Sequence, residues 1–186
     1  MRKIVFTFLL CILSTLALTA HDYGAETRFS SNFTDLTKDC KDAFEEVEEG
    51  QDMPLRCRGY GGYYIDIGYS AFASHIRINT INVDDGIYLA TESLNYSDKK
   101  GNKIEWRFAN GKPFAVILKI SKYNDKVLND LGETPYQKKY KTGESLIIKG
   151  LKGYEHIDFE VNFKTTTDAI TKARKLADRA YLKGRP

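Results

Sequence analysis

Few residues in this 186-residue chain have types and spacing that could do chemistry. They are three histidines, three cysteines, one adjacent pair of aspartates and a group of tyrosines set among arginines. The histidines are scattered. His21 lies near the N-terminus, and His156 falls on the polar side of a late alternating segment. His75 follows Ser74, and neighbours on a strand point to opposite faces, so the two cannot act as nucleophile and base. No H-x-x-x-H or C-x-x-C spacing is present, so no metal ligands are assigned. Asp84-Asp85-Gly86 reads as a turn, because the spacing of a calcium loop with its terminal Glu is missing. The G-Y-G-G of residues 59–62 lacks the G-K-[S/T] ending of a phosphate loop and joins strand to strand. It too reads as a turn. No catalytic residue and no cofactor is assigned.

What remains is aromatic. Tyr60, Tyr63, Tyr64, Tyr69 and Phe72 crowd together with Arg56, Arg58 and Arg77. Tyrosine offers large contact area at low entropy cost, and arginine accompanies it in interface hot spots. The candidate binding residues are therefore Arg58, Tyr60, Tyr63, Tyr64 and Arg77, facing a protein, peptide or glycan partner. The competing explanation is that tyrosine simply favours half-buried pleated strands.

The chain's own beginning says where such a surface would work. Arg2 and Lys3 precede an apolar run over 4–17, with Thr19 and Ala20 after it. That is the pattern of a secretory signal peptide over 1–20, too short for a membrane span, with an uncleaved anchor as the alternative. The expected mature chain, 21–186, is a single globular domain with a loose N-terminal arm, periplasmic or secreted. Loss of Arg2 and Lys3 takes the net charge from +3 to +1, with both signs interspersed. That excludes a nucleic-acid patch and a membrane-surface helix, so no stable membrane insertion is expected after cleavage. Cys11 leaves with the signal peptide. Cys40 and Cys57 stay, and an even pair in an exported protein is expected to be bridged, two buried thiols being the alternative.

The elements that must carry these residues read mostly as strands. Residues 40–49 fit a helix or a strand equally. Pro54 opens a strand with Leu55 and Cys57 on one side and Arg56 and Arg58 on the other. Beyond the glycines, Tyr63, Ile65, Ile67 and Tyr69 share a face opposite Tyr64, Asp66 and Gly68. Residues 75–78 and 87–91 alternate again. Residues 103–108 put Ile104, Trp106 and Phe108 together, with Arg107 pointing away. Asn110-Gly111 is the strongest hairpin signal, and it leads into the apolar run 114–120. That pair is expected at the centre of a sheet. Residues 123–141 read as a long surface loop or a loosely formed hairpin arm, and 145–149 and 154–163 as two further strands. The period then changes. Thr165 to Asp168 form an N-cap cluster, and Ala169, Ile170, Ala173, Leu176, Ala177, Ala180 and Tyr181 recur at helical spacing. Lys172, Arg174, Lys175 and Arg179 fall on the opposite side.

Several of these pieces occur in an order that resembles an uncharacterised family of small exported bacterial proteins. They are Asp39-Cys40, C-R-G-Y-G-G at 57–62, Arg77, E-W-R at 105–107, G-K-P-F-A-V-I at 111–117 and A-R-K-L-A-D at 173–178. The resemblance implies a signal peptide, a disulfide-bonded strand-rich domain and a final helix. It lends no activity.

The expected fold is α+β: a mainly antiparallel curled sheet or sandwich, covered by one C-terminal helix. The expected function is non-enzymatic binding of another molecule in the periplasm or outside the cell. A small secreted hydrolase is the alternative, and would need a histidine or two carboxylates converging in a pocket. The seventeen-residue separation of the cysteines sets the first prediction. Intact-mass analysis with and without reduction should show Cys40 and Cys57 joined. Urea unfolding should show the Cys40→Ala, Cys57→Ala variant less stable by roughly 3 kcal/mol.

Overall fold

The computed structural model describes residues 26–46, 49, 54–69, 74–80, 86–90, 103–124, 138–163 and 168–184. In chain order its strands are β1 (Phe29–Asp35), β2 (Cys40–Asp42), β3 (Leu55–Arg58), β4 (Tyr64–Tyr69), β5 (Ser74–Asn79), β6 (Ile87–Ala90), β7 (Lys103–Ala109), β8 (Lys112–Tyr123), β9 (Lys141–Gly150) and β10 (Asp158–Asn162). One helix, α1 (Ala169–Lys183), follows. The expected signal peptide, Asp84-Asp85, Phe72 and most of the 123–141 loop lie outside the described residues.

The strands form two antiparallel sheets, ordered β1-β7-β8-β9-β10 and β2-β3-β4-β5-β6. The Asn110-Gly111 turn starts the first. Both residues take positive φ, 50° and 80°, as a two-residue type I′ hairpin turn requires. The run after it becomes β8, the middle strand of its sheet. Strand alternation does the rest. Ile104, Trp106, Phe108, Val116, Leu118 and Ile147 face the second sheet, where they meet Cys57, Ile65, Ile67, Ile76 and Ile78. Ala115, Ile117, Leu146, Ile148 and Val161 face α1. A register shift after Arg107 leaves Phe114 as the extra residue of β8, which turns it toward the helix beside Ala115. The molecule is thus a sandwich with a helix on one outer face. The first sheet is its middle layer.

One open alternative is decided and two local expectations change. Residues 40–42 are extended and 43–45 are bends, with no helical turn among the described residues of that segment. The cause is lateral: Cys40 lies opposite Cys57 in the β2–β3 ladder and is bridged to it. The last strand is shorter than the alternation over 154–163 implied. Residues 151–157 are instead folded by successive tight turns, with Tyr154 N–H donating to Leu151 O and Ile157 N–H to Tyr154 O. At the helix, Asp168 occupies the N-cap position but makes no side-chain capping bond. Ile170 is not inward; it is 45% exposed. The buried stripe is alanine (Ala169, Ala173, Ala177, Ala180), which lets the helix backbone lie close to the sheet and leaves Ile170 about 100° off the contact line.

Arg174 is also not on the solvated side. Its Nε and Nη2 donate to the two oxygens of Glu105 at 2.7 and 3.1 Å. One turn further on, Asp178 accepts three bonds from the Nε and Nη2 of Arg107 at 2.6–3.1 Å. Ser31 of β1 ties the two pairs together, accepting from Arg107 Nη1 and donating to Glu105 Oε1. Glu105 and Arg107 are only 6% and 5% exposed. Truncating one partner of a buried pair strands the other charge, at a cost of about 3–5 kcal/mol. Arg107→Ala should therefore lose about that much in denaturant unfolding. The Arg107→Met, Asp178→Leu double variant should lose far less, and a double-mutant cycle reads the difference.

Candidate functional site

The site is built outward from Trp106. The indole is completely buried between the sheets. Its Nε1–H donates to Thr34 Oγ1 at 3.0 Å, and the Thr34 hydroxyl in turn donates to the carbonyl of Arg58 at 3.0 Å. This relay ties β1, β3 and β7 together at one point. It also brings the chain just after Arg58 against the ring. A Cβ on Gly59 would lie 2.9 Å from two Trp106 ring carbons and 2.5 Å from the carbonyl of Tyr63, so only glycine fits. Gly61 and Gly62 follow at φ 64° and 84°, and the turn closes with Tyr63 N–H donating to Tyr60 O.

The turn presents Tyr60 and Tyr63 to the same ring. Tyr60 stands edge-on to Trp106 at 5.8 Å and to Phe108 at 5.6 Å, and its hydroxyl donates to Phe33 O at 3.1 Å. Tyr63 lies tilted on Trp106 at 6.2 Å. Burial pushes the Tyr63 phenol above its ordinary pKa, although its oxygen takes a hydrogen bond from the backbone of Lys152. Opposite, the 35–39 turn locks itself. Asp35 accepts from Thr37 N–H and Oγ1–H, which holds its carboxyl below the usual range. Asp39 accepts from Asp35 N–H at 2.7 Å. Between these walls is an open cleft of about 660 Å³, lined by Phe33, Thr34, Asp39, Arg58, Tyr60 and Tyr63 with the three glycines.

Of the five candidate residues, three gather here: Arg58, Tyr60 and Tyr63. The other two lie on the outer face of the second sheet. Tyr64 sits under the Arg56 guanidinium, 4.2 Å from its ring centre. Arg56 is held by Asp66 at 2.7 and 3.1 Å, and Asp66 also accepts from Asn79 Nδ2. Arg77 is half-buried and stands opposite Asp66 in the ladder, away from the cleft. Tyr64 does line a second, shallower depression of about 380 Å³, with Lys38, Lys41, Arg56 and both bridged cysteines. The two depressions share Asp39 and Arg58.

Phe33, Thr34, Lys38, Asp39 and Lys41 were not recognisable as site residues from local pattern. One signal did point to them. A Cys40–Cys57 bridge must place 38–41 beside 56–58. Among the described residues, no group of three His, Cys, Asp or Glu side chains is placed to hold a metal. His75 is half-buried in β5, and His156 Nε2 lies 3.2 Å from Ala180 O at the end of α1. Comparison with family models, curated proteins and solved structures finds no match to this chain.

The raised Tyr63 phenol gives an alkaline prediction. A phenol that keeps its proton longer in the folded state contributes stability below the unfolded tyrosine pKa of about 10, and that contribution disappears as pH rises beyond it. In absorbance titration Tyr63→Phe should remove a late-ionising phenol. It should also flatten the fall in stability above about pH 10.

Proposed function

We propose that this protein is exported, to the periplasm or outside the cell, and serves there as a non-enzymatic binding domain whose ligand enters the Tyr60–Tyr63 cleft. The cleft itself carries the proposal. It is concave, walled by half-buried aromatic rings, floored by a closed hydrogen-bond relay, and edged by an exposed arginine. Convergent polar groups on an aromatic lining are the usual composition of a ligand site. A hydrolase would need acid–base partners in the same place. The lining supplies one carboxylate, Asp39, with an oxygen already engaged by Asp35 N–H, and no histidine.

Two features support the location. The Cys40–Cys57 bridge suits an oxidising compartment. Among the described residues no helix is long and apolar enough to cross a membrane. The secretory pattern of residues 1–20 and the resemblance to a family of small exported proteins fit the same reading.

Glycan and peptide arrays probed with the oxidised 21–186 chain would test it. The wild type should retain ligands that the Arg58→Ala, Tyr63→Ala double variant loses, while Lys183→Gln on the helix keeps them. Equal retention by all three would sink the cleft as the binding site.

A further inference from the structure

The cleft's hydrogen-bonding groups are not equally available, and that inequality selects a ligand class. Thr34 is engaged twice, accepting from Trp106 and donating to Arg58 O. The Tyr60 hydroxyl donates to Phe33 O, and the Tyr63 oxygen accepts from Lys152. Asp39 accepts from Asp35 N–H. The lining cations are different. Arg56 is neutralised by Asp66, but the Arg58, Lys38 and Lys41 side chains close no ion pair among the described residues. These three are donors only. They lie along the two depressions, whose linings share Asp39 and Arg58; against the one Asp39 carboxylate, the three cations leave the joined groove an excess of positive charge next to aromatic rings.

We infer that the joined groove binds an acidic oligosaccharide, with its carboxylate or phosphate groups on Arg58, Lys38 and Lys41 and a sugar ring against Tyr63. This rests on the binding-domain reading and names its ligand class. An extended peptide that anchors by main-chain pairing would need an open strand edge. Beside the cleft the β1 edge is occupied: Phe33 O is taken by Tyr60 and Asp35 N–H by Asp39. The β2 edge is only three residues long. A sugar chain needs no strand edge, and flat phenol rings beside charged donors suit its apolar faces and acidic substituents.

Calorimetry on the oxidised 21–186 chain at low salt tests this with four probes: hexagalacturonate, its methyl ester, a phosphorylated hexasaccharide and hexaglutamate. At least one acidic sugar should bind, and the ester should bind about tenfold more weakly or not at all, as loss of a charge-assisted contact implies. Which of the two sugars binds separates carboxylate from phosphate recognition. Arg58→Gln should weaken binding about tenfold, and Lys183→Gln on the distant helix end should leave it unchanged. Affinity should fall toward about 0.15 M salt, since the cations are exposed. Arg58→Gln should fold normally, because Arg58 serves the fold through its carbonyl and its side chain is outside the core. No binding by either acidic sugar, equal binding of acid and ester, binding of hexaglutamate alone, or an unchanged Arg58→Gln affinity would each overturn the inference. An ester bound as tightly as the acid, yet lost in Tyr63→Ala, would leave the binding-domain reading standing and remove only the charge requirement.

Discussion

A single buried hydrogen bond, from the Trp106 indole to Thr34, sets the geometry on which both the sandwich and its cleft depend. Trp106 is the only tryptophan in the chain, and its ring fills the space between the sheets. Burying that ring is favourable, but an unpaired indole N–H there would cost about 1–3 kcal/mol. Thr34 removes the cost and hands its own proton to Arg58 O, so the start of the 59–62 turn is fixed relative to β1. The bare Cα of Gly59 then follows from the ring's presence, and the poses of Tyr60 and Tyr63 follow from the turn. The cleft is a by-product of how a large aromatic side chain is accommodated at the edge of two sheets.

The opposite face of the same strand solves a different problem. Alternation sends Glu105 and Arg107 toward the helix, into a layer of alanine, branched aliphatic residues and an aromatic cluster of Phe29, Phe114, Tyr154 and Tyr181. Tyr181 anchors the last turn of α1 in that cluster, but the alanine stripe buries little area and there is no side-chain N-cap, so packing specifies the rotation of the earlier turns weakly. Two bidentate pairs, Glu105–Arg174 and Arg107–Asp178, fix that rotation. Arg174 and Asp178 are four apart on one helix face, and Glu105 and Arg107 are two apart on one strand face, so only one helix azimuth and one register satisfy both. Buried ion pairs return little net stability against well-packed apolar residues. Their contribution here is geometric: together with the Tyr181 anchor they choose one docking of an alanine-faced helix.

Much of this architecture was legible in the sequence. Strand alternation, Asn110-Gly111 and the late change of period gave the antiparallel strands, the central hairpin and the covering helix, because each is a local signal with a fixed period or turn geometry. The cysteine pair also read correctly, from compartment logic and not from pattern. The misses share a cause. Arg174 sits among lysines and looks solvated, and its partner lies 69 residues away on a strand. Ile170 looked inward because hydrophobicity was weighed without asking how close an alanine stripe allows the backbone to come. Residues 40–42 were ambiguous because a three-residue strand has no period of its own; the bridge to Cys57 decides it. The candidate binding set was half gathered for a similar reason. Period-2 alternation separates Tyr63 from Tyr64, so a cluster in sequence becomes two faces in space.

The proposed binding role would need no refolding of the cleft. Its walls come from two distant stretches, 33–39 and 58–63. They are held by the Trp106 relay, the Asp35–Asp39 turn and the disulfide. A wall already fixed loses little conformational entropy when a ligand arrives, so more of the contact energy would appear as affinity. Among the described lining residues, the long side chains that close no ion pair are the cations Lys38, Lys41 and Arg58. Replacing them alters charge and reach but leaves every support of the cleft in place. In the proposed role, ligand choice would therefore be separable from folding at this site, residing in the few residues on which the sandwich itself makes no demand.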